Sequence, residues 1–298
     1  MTELVIRPLS SGEEHLFDTM PTPPVGPVLL GQTYLGMLAI REYRPEWTWV
    51  ALAGDTVVAR AAWWGGPEDD SPGSLDWLDF TDFDAAVRIL RAGPRKPYSL
   101  NTPPDWQADP DLRQAVESRI AAAAEIGLTP LVERYWYRWT PADGLPERPG
   151  RLEFRPAPDD DVWLDVFARV HDGTLDEHAR RVIAESGVAT AAQRDLAILD
   201  WMNSPRDWWQ LARTRSGELV GFTIPADNHT DPVIGYIGVV PEHRGHGYAY
   251  DLLVEATHLL AAGGADRIIA ATDTTNTPMA AAFAKAGYPV ACHVIDLA

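Results

Sequence analysis

The sequence predicts an α/β protein built from two similar halves, and three observations support this prediction. The stretch VVPEHRGHGYAYDLL, residues 239–253, runs from a β-branched strand through a glycine turn into a helix. Both halves begin alike, with LVIRPLSSGEEHLF from residue 4 and LEFRPAPDDDVWLDVF from residue 152. The segment between them, TPADGLPERPG at 140–150, is dense in proline and glycine, as linkers are. Together these features indicate a duplicated α/β domain.

The elements of the two halves follow the same order. A hairpin signal, two alternating runs around a glycine turn, occurs in WTWVALAGDTVVARAAW and again in DWWQLARTRSGELVGFTIP. An alanine-rich helix and a strand come later, in DLRQAVESRIAAAAEIGLTPLVERYWYRW and in DLLVEATHLLAAGGADRIIAAT. We therefore expect one domain over residues 1–141, a linker over 142–150 and a second domain over 151–298.

Composition limits the class of protein. The chain has 298 residues, enough for two domains that each bury a core, and its one cysteine, Cys292, permits no internal disulfide. No apolar run approaches the roughly 20 residues that span a bilayer, so we expect a cytoplasmic protein without a membrane partner. With 25 basic against 43 acidic residues the net charge is -18, which disfavours nucleic acid as a partner and favours a cationic amine.

The turn within residues 239–253 has the form of an anion site. Gly245 and Gly247 carry no Cβ, so the backbone can adopt positive φ and a ligand can approach its amides. The unpaired amides and the dipole at the start of the following helix favour phosphate. Arg244, just before the glycines, could add charge-assisted hydrogen bonds. A pyrophosphate is therefore the expected guest.

Spacing distinguishes between phosphate-binding motifs. No lysine follows either glycine, as a P-loop requires, and Tyr250 stands where a dinucleotide-binding turn needs a small residue. The pattern that remains is R-x-x-G-x-A, formed by Arg244, Gly247 and Ala249 after the strand GYIGVVP. Here the chain resembles the GNAT superfamily of acyl-CoA-dependent N-acyltransferases, whose most diagnostic motif is [QR]-x-x-G-x-[GA].

A second block strengthens the resemblance. ADRIIAATDTTNTPMAAAFAKAGYPV contains a strand and then Asn276, Ala280, Gly287 and Tyr288 in the order and spacing of the family. Phe283 stands where the family usually has a tyrosine that protonates the departing thiolate. The usual proton return of the family is therefore in question.

The resemblance implies a fold and a cofactor site. It implies two tandem GNAT domains, each a mixed, mostly antiparallel sheet flanked by helices, with acetyl-CoA as the acyl donor. In the second domain, two parallel strands at 236–240 and 268–272 would splay after a bulge and admit the pantetheine arm. The first half contains no R-x-x-G-x-[GA], so we expect its copy to be degenerate. The residues expected to bind acetyl-CoA are Ile237, Val239, Arg244, Gly245, His246, Gly247, Tyr248, Ala249, Asn276 and Phe283.

Catalytic groups are less strongly indicated. An alkyl amine is mostly protonated at pH 7, so a base or a water chain must remove a proton. The candidates near the splay are Asp231, Tyr236 and Asp273, with Asp227 and His229 in the same loop as Asp231. His171 and Asp172 belong to the region that covers the acceptor in the family.

A metal centre is not expected, because no cysteine or carboxylate accompanies His243 and His246 at ligand spacing.

The expected function is N-acetylation of a primary amine of a small molecule by direct transfer from acetyl-CoA, by a monomer or homodimer. Two alternatives stay open. One is a non-catalytic acyl-CoA-binding or regulatory protein, which the phenylalanine at 283 permits. The other is an aminoacyl-type transferase, as in other tandem proteins of this type, against which the acidity of both halves argues.

Overall fold

A computed structural model describes residues 4–157 and 159–298, and these form two compact units. Unit 1 contains the described residues up to Arg134 together with Ala291–Ala298, and unit 2 contains Tyr135–Val290. The first three residues of the predicted first domain, and Pro158 of the predicted second domain, lie outside the described residues.

Unit 1 is a mixed sheet with helices packed on it. Its strand order is β1-β2-β3-β4-β5-β12, and neighbouring strands are antiparallel except for the parallel pair β4 and β5. Hairpin β2–β3 is the one that the first alternating sequence predicts, and its buried face belongs to the core. The strands are β1 (Leu4–Pro8), β2 (Thr48–Ala53), β3 (Thr56–Trp64), β4 (Ser74–Phe80), β5 (Tyr98–Thr102) and β12 (Val290–Leu297); the helices are α1 (Tyr34–Ala39), α2 (Phe83–Ala92) and α3 (Pro110–Ala124).

Unit 2 repeats this plan. Its strand order is β7-β8-β9-β10-β11-β6, with β10 and β11 parallel and the hairpin β8–β9 where the second alternating sequence predicts it. The strands are β6 (Pro130–Trp139), β7 (Leu152–Pro156), β8 (Gln210–Thr214), β9 (Leu219–Asp227), β10 (Pro232–Val239) and β11 (Ile268–Asp273); the helices are α4 (Asp160–His171), α5 (Glu177–Ser186), α6 (Val188–Trp201), α7 (Tyr248–Ala262) and α8 (Thr277–Lys285).

The mixed, mostly antiparallel sheet with flanking helices is the fold class that the sequence predicts. The core of unit 2 explains why its helices take their positions. Helix α7 is apolar around most of its surface, and Leu252, Leu253 and Leu260 are buried, with β9 and β10 beneath the helix. Aromatic residues of α4, of β9 and of the turn just before β8, among them Trp163 and Trp209, form a second cluster. Within the described residues, no helix is long and apolar enough to cross a lipid bilayer.

The compact units differ from the expected domains 1–141 and 151–298 in two places: residues 135–141, expected in the first domain, belong to unit 2, and residues 291–298, expected in the second domain, belong to unit 1. Strand β12 pairs with β5 in antiparallel register, from His293 opposite Thr102 to Leu297 opposite Tyr98. Its buried residues Ile295 and Leu297 belong to the core of unit 1. Local sequence pattern indicates a strand here but not its partner, because pairing depends on contacts almost 200 residues apart. The expected linker holds a 3-10 turn, Pro141–Asp143, and then no regular structure over 144–150.

Candidate active site

The glycine turn of unit 2 adopts the open conformation that the motif predicts. Strand β10 leads through a 3-10 turn, Pro241–His243, to α7, and Gly247 caps that helix with φ +73° and no side-chain hydrogen bond. Gly245 has φ +81°, and a Cβ atom placed on it would meet no atom within 4 Å. Both glycines therefore occupy the left-handed region that other residues disfavour, and the space above Gly245 is open.

The backbone amides of this turn face that space without partners. Among the described residues, the N–H groups of Gly245, His246 and Gly247 take part in none of the loop and cap hydrogen bonds. Tyr248 and Ala249 open the first turn of α7, where amides have no intrahelical acceptor. Consecutive unpaired donors at the positive end of a 15-residue helix suit a pyrophosphate. The residues present thus fit the phosphate end of acetyl-CoA.

Arg151 supports this turn through hydrogen bonds to its carbonyls, a contact that the sequence did not predict. Its guanidinium donates to the carbonyls of His246 and Gly247, each at 3.1 Å, and to the buried carboxylate of Asp251. It also lies 4.8 Å from the ring of Tyr248. The hydrogen bond that Arg151 donates to Asp251 is the main cause that raises the pKa of Arg151. The hydrogen bonds from Arg151 therefore engage the carbonyls of the turn and leave its amides available to a ligand.

Arg244 is engaged by backbone carbonyls. Its Nε donates to the carbonyl of Val239 at 3.1 Å, its Nη1 to that of Asp172 at 2.5 Å and its Nη2 to that of Val170 at 2.8 Å. These bonds connect the end of β10 with the end of α4. A contact from Arg244 to phosphate stays a prediction, and the structure adds a positioning role within the protein.

Strands β10 and β11 diverge after a bulge. They share one register pair, Val233 opposite Ile269, and Gly235 is the extra residue against β9. The amide of Val240 donates to Val220 of β9, and antiparallel ladders alternate, so the polar backbone groups of Ile237 and Val239 face the β11 side. These are the two residues whose backbone the resemblance assigns to the pantetheine arm.

The three predicted catalytic residues do not come together. Asp231 precedes β10 and forms an ion pair with Arg267, whereas Asp273 ends the parallel strand β11. From the register of Val233 and Ile269, the two aspartates are about six residues, or about 20 Å, apart along the strands. One acceptor amine cannot contact both of them. Asp273 is buried, and its Oδ2 accepts a hydrogen bond from the amide of Glu177 at 2.7 Å.

Tyr236, the third candidate, directly follows the bulge and belongs to a polar cluster. Burial, then the charges of Asp195 and Asp176 and a hydrogen bond to Asp195, raise the pKa of Tyr236 well above its usual value. Asp195 Oδ2 lies 2.9 Å from Nε2 of the buried His171. The sequence indicated His171 and Tyr236 separately. It did not indicate Asp195, which lies near them only because α6 packs there.

Phe283 and Asn276 have structural contacts in unit 2. Phe283 is buried and stacks on Tyr137 with ring centroids 4.1 Å apart. Asn276 caps α8, where its Oδ1 accepts from the amide of Met279 at 3.4 Å. Because Phe283 has no hydroxyl, a proton for a departing thiolate must come from another group or from water.

The remaining candidates lie in the loop before β10. His229 has the unusual φ of +74°, and its amide donates to Asp227 Oδ1 at 2.7 Å. Its Nε2 is 2.9 Å from the carbonyl of Trp201, beside an open cavity of about 510 Å³ lined by residues 200–205 and His229. His229 therefore supports this loop through local contacts. Within 4–157 and 159–298, no group of three or more histidine, cysteine or acidic residues could hold a metal ion.

Comparison with known proteins identifies the class. Residues 151–289, which include the glycine turn and the splayed strands, match the family model described as an acetyltransferase (GNAT) domain. The chain therefore contains a GNAT acetyltransferase domain, and the predicted family is confirmed. Family and relatives together support an acyltransferase enzyme.

The most similar relatives reported are two mycothiol acetyltransferases. The protein from Arthrobacter sp. (strain FB24) is 26% identical and that from Pseudarthrobacter chlorophenolicus is 28% identical. Each alignment covers 58% of this chain and 54% of the relative, so the chain spans about half the length of the relatives it matches.

Solved structures share the fold over the whole chain. A GCN5-related N-acetyltransferase from Sphaerobacter thermophilus superposes with a TM-score of 0.56 at 14% identity, covering 99% of this chain and 94% of the other. A tandem GNAT protein from the clavulanic acid biosynthesis pathway gives 0.51 at 17% identity, covering 99% and 98%. The predicted tandem GNAT fold is confirmed.

Proposed function

We propose that this protein is an N-acetyltransferase that moves an acetyl group from acetyl-CoA to a primary amine of a small molecule. The observation that carries the proposal is the open glycine turn at the start of α7, beside two parallel strands that separate after a bulge. The match of this region to the GNAT domain model supports it.

Acetyl-CoA is the proposed donor substrate. The amides of residues 245–249 would hold its pyrophosphate, and the polar backbone groups of Ile237 and Val239 would bind the pantetheine arm. The amide of Val239 would also stabilise negative charge on the thioester oxygen as the acceptor attacks. Gly245, Gly247 and the brace from Arg151 keep the turn open for this ligand.

Transfer is proposed to be direct. The lone pair of the amine attacks the thioester carbon, the C–N bond forms, and the C–S bond breaks to release CoA as a thiolate. A thiol has a reference pKa near 8.5, so the thiolate is a tolerable leaving group, and water can return its proton in place of the hydroxyl that Phe283 lacks.

A small cationic acceptor agrees with the charge of the chain. The net charge of -18 attracts ammonium groups and repels the phosphates of nucleic acids, so transfer from an aminoacyl-tRNA is the less favoured alternative. The second candidate is an acyl-CoA-binding protein without turnover. One observation favours it, the burial of Phe283 where the family usually carries a catalytic tyrosine.

Thiol release from acetyl-CoA against a panel of primary amines, with binding measured separately by calorimetry, tests the proposal. We expect tight binding and amine-dependent release of CoA. Phe283→Tyr should change kcat by less than about tenfold, because water already supplies the proton. Binding without release by the wild-type protein, together with release by Phe283→Tyr, would favour the binding protein instead.

A further inference from the structure

A buried polar cluster lies beside the splayed strands, on the side covered by α4 and α6. Tyr236 follows the bulge residue Gly235, and its ring packs 5.4 Å from that of Phe167 and 4.9 Å from that of Phe222. These rings belong to the aromatic core of unit 2. The ring of Tyr236 is therefore surrounded by apolar side chains, one residue after the bulge beyond which β10 and β11 separate.

Asp195 of α6 is the member of this cluster that solvent reaches. Its side chain is 22% exposed, whereas that of His171, whose Nε2 lies 2.9 Å away, is 1% exposed. The charge of the same carboxylate, after burial, raises the pKa of the Tyr236 hydroxyl. The other charged groups that face Tyr236 are Asp176, which caps α5, and Arg244 at the end of β10.

The contacts of His171 are incomplete for a structural pair. Among the described residues, neither ring nitrogen of buried His171 makes a hydrogen bond, and neither does Asp195 Oδ2, although Nε2 and Oδ2 are 2.9 Å apart. Buried polar atoms in native proteins are nearly always paired, so an unpaired one calls for an explanation. Burying both partners of an ion pair costs desolvation, and here the carboxylate keeps 22% of its side chain exposed, so a ligand can contact it.

We infer that Asp195 is the anionic contact for the ammonium group of the acceptor, and that the Asp195–His171 pair accepts its proton. Tyr236 is a positioning residue that orients the carboxylate through its hydroxyl. The inference rests on the proposed function and deepens it: it makes the acceptor a cationic amine and supplies the base that the candidates Asp231 and Asp273 do not provide together.

The step balances without a further reagent. An N–H bond of the ammonium breaks, and its proton passes to the carboxylate–imidazole pair. The freed lone pair then forms the C–N bond, the C–S bond breaks, and the second proton that the nitrogen loses passes through water to the thiolate. Histidine is the side chain whose protonation ordinarily changes between about pH 5 and 8, so a histidine–carboxylate pair suits this task near neutral pH.

The test uses Asp195→Asn with Asp200→Asn as the matched control. Asp200 lies on the same helix, is exposed, and pairs with Arg206 at 2.9 Å. Thiol release is followed with benzylamine, which is protonated at neutral pH, and with aniline, which is not. We expect Asp195→Asn to lower kcat/KM for benzylamine at least about 100-fold near pH 7 and far less for aniline. The benzylamine deficit should shrink toward about pH 10, where the amine loses its own proton.

Asp200→Asn should stay within about twofold of wild type for both amines. His171→Asn should reproduce the pH-dependent loss, and Tyr236→Phe should show a smaller loss of the same form, so the inference can be tested even if one variant does not fold. Losses that are equal for both amines and independent of pH would overturn it. Wild-type protein that binds acetyl-CoA but acetylates neither amine would contradict the proposed function and this inference with it, whereas turnover unaffected by Asp195→Asn would contradict the inference alone.

Discussion

Units 1 and 2 contain the same bulged, splayed pair of parallel strands, but only unit 2 leaves it accessible. In unit 1, Asp76 is the extra residue of β4 against β3, as Gly235 is in β10 against β9. Strands β4 and β5 share one register pair, Leu75 opposite Tyr98, as β10 and β11 do. The difference between the two copies therefore lies in side chains and not in the strand arrangement.

In unit 1, the side chain of an arginine on α3 is hydrogen bonded to the backbone of the splayed strand β4. Leu78 lies two residues after the bulge, as Ile237 does in unit 2, and its carbonyl accepts a hydrogen bond from Arg119 Nε at 2.7 Å. Arg119 also donates to Asp79 Oδ1 at 2.6 Å, and Asp79 is shared with the buried Arg60. The carbonyl at the position of Ile237 is thus already bonded within unit 1, whereas in unit 2 the arginine bond is to the carbonyl of Val239.

In unit 1, a side chain also caps the start of α2, the helix that follows β4. Asp82 caps α2, and its carboxylate accepts from the amide of Ala85 at 3.0 Å, with Asp84 in the first turn. In unit 2 the corresponding cap is Gly247, which has no side chain. A carboxylate at a helix start uses the donors and the positive potential that a phosphate needs. In unit 1 an arginine and a capping carboxylate thus use the backbone donors and acceptors whose counterparts in unit 2 are proposed to bind the ligand.

The largest expected effect concerns the arginine of unit 1. Arg119→Met should lower the free energy of unfolding by about 3 kcal/mol, because it leaves the carbonyl of Leu78 without this donor and removes one of the two arginines that pair with buried Asp79. The control Arg91→Met removes an exposed pair with Glu125 and should cost less than about 1 kcal/mol. Urea titrations measure both, and equal costs would show that Arg119 does not hold unit 1 together.

The second prediction makes the turn of unit 2 resemble that of unit 1. Gly247→Asp should weaken acetyl-CoA binding at least about 100-fold, equivalent to about 2.7 kcal/mol, because the carboxylate would cap α7 and repel phosphate. Gly264→Asp is the control: Gly264 follows the other end of α7 with φ +91° and open space around it, so the backbone cost and charge are alike. Calorimetry should find its affinity unchanged; normal binding by Gly247→Asp would refute the assigned turn.

These comparisons also indicate what the sequence could and could not predict. Period-two alternation predicted both hairpins, and R-x-x-G-x-A predicted the open turn, because each depends on neighbouring residues. Arg151 was missed because its partner Asp251 is 100 residues away. The contacts of Arg119 with Leu78, of Asp195 with His171 and of β12 with β5 likewise depend on tertiary packing, which local patterns do not encode. The same reason explains why Arg244 was expected at the phosphates and is found bonded to carbonyls.

A third, smaller effect should follow from the brace of the turn. Arg151→Met removes hydrogen bonds to the carbonyls of His246 and Gly247, so the turn becomes less ordered and acetyl-CoA affinity should fall about tenfold, or about 1.4 kcal/mol. Arg155→Met, which removes an exposed pair with Glu153, should leave affinity within about twofold. If both variants bind as the wild type does, the amides keep their arrangement without the brace.

The last prediction concerns the pH dependence of stability and the bulge residue of unit 1. Burial raises the pKa of Asp76 to about 8, while the hydrogen bond from Tyr43 at 2.9 Å opposes the shift. Between about pH 4 and 8 the folded state therefore binds a proton that the unfolded state has lost, so stability should fall as pH rises through this range. Asp76→Asn should reduce this pH dependence, measured as the difference in thermal midpoint between the two ends of the range. An unchanged dependence would mean that Asp76 is ionised in the folded protein.

The central claim is that unit 2 binds acetyl-CoA and unit 1 does not, and the number of sites per chain tests it most directly. Calorimetric titration of the wild-type protein with acetyl-CoA, at protein concentrations well above the dissociation constant, measures that number without any variant. The account predicts one site per chain. Two equivalent sites per chain would contradict it, because unit 1 would then bind the ligand despite Arg119 and Asp82.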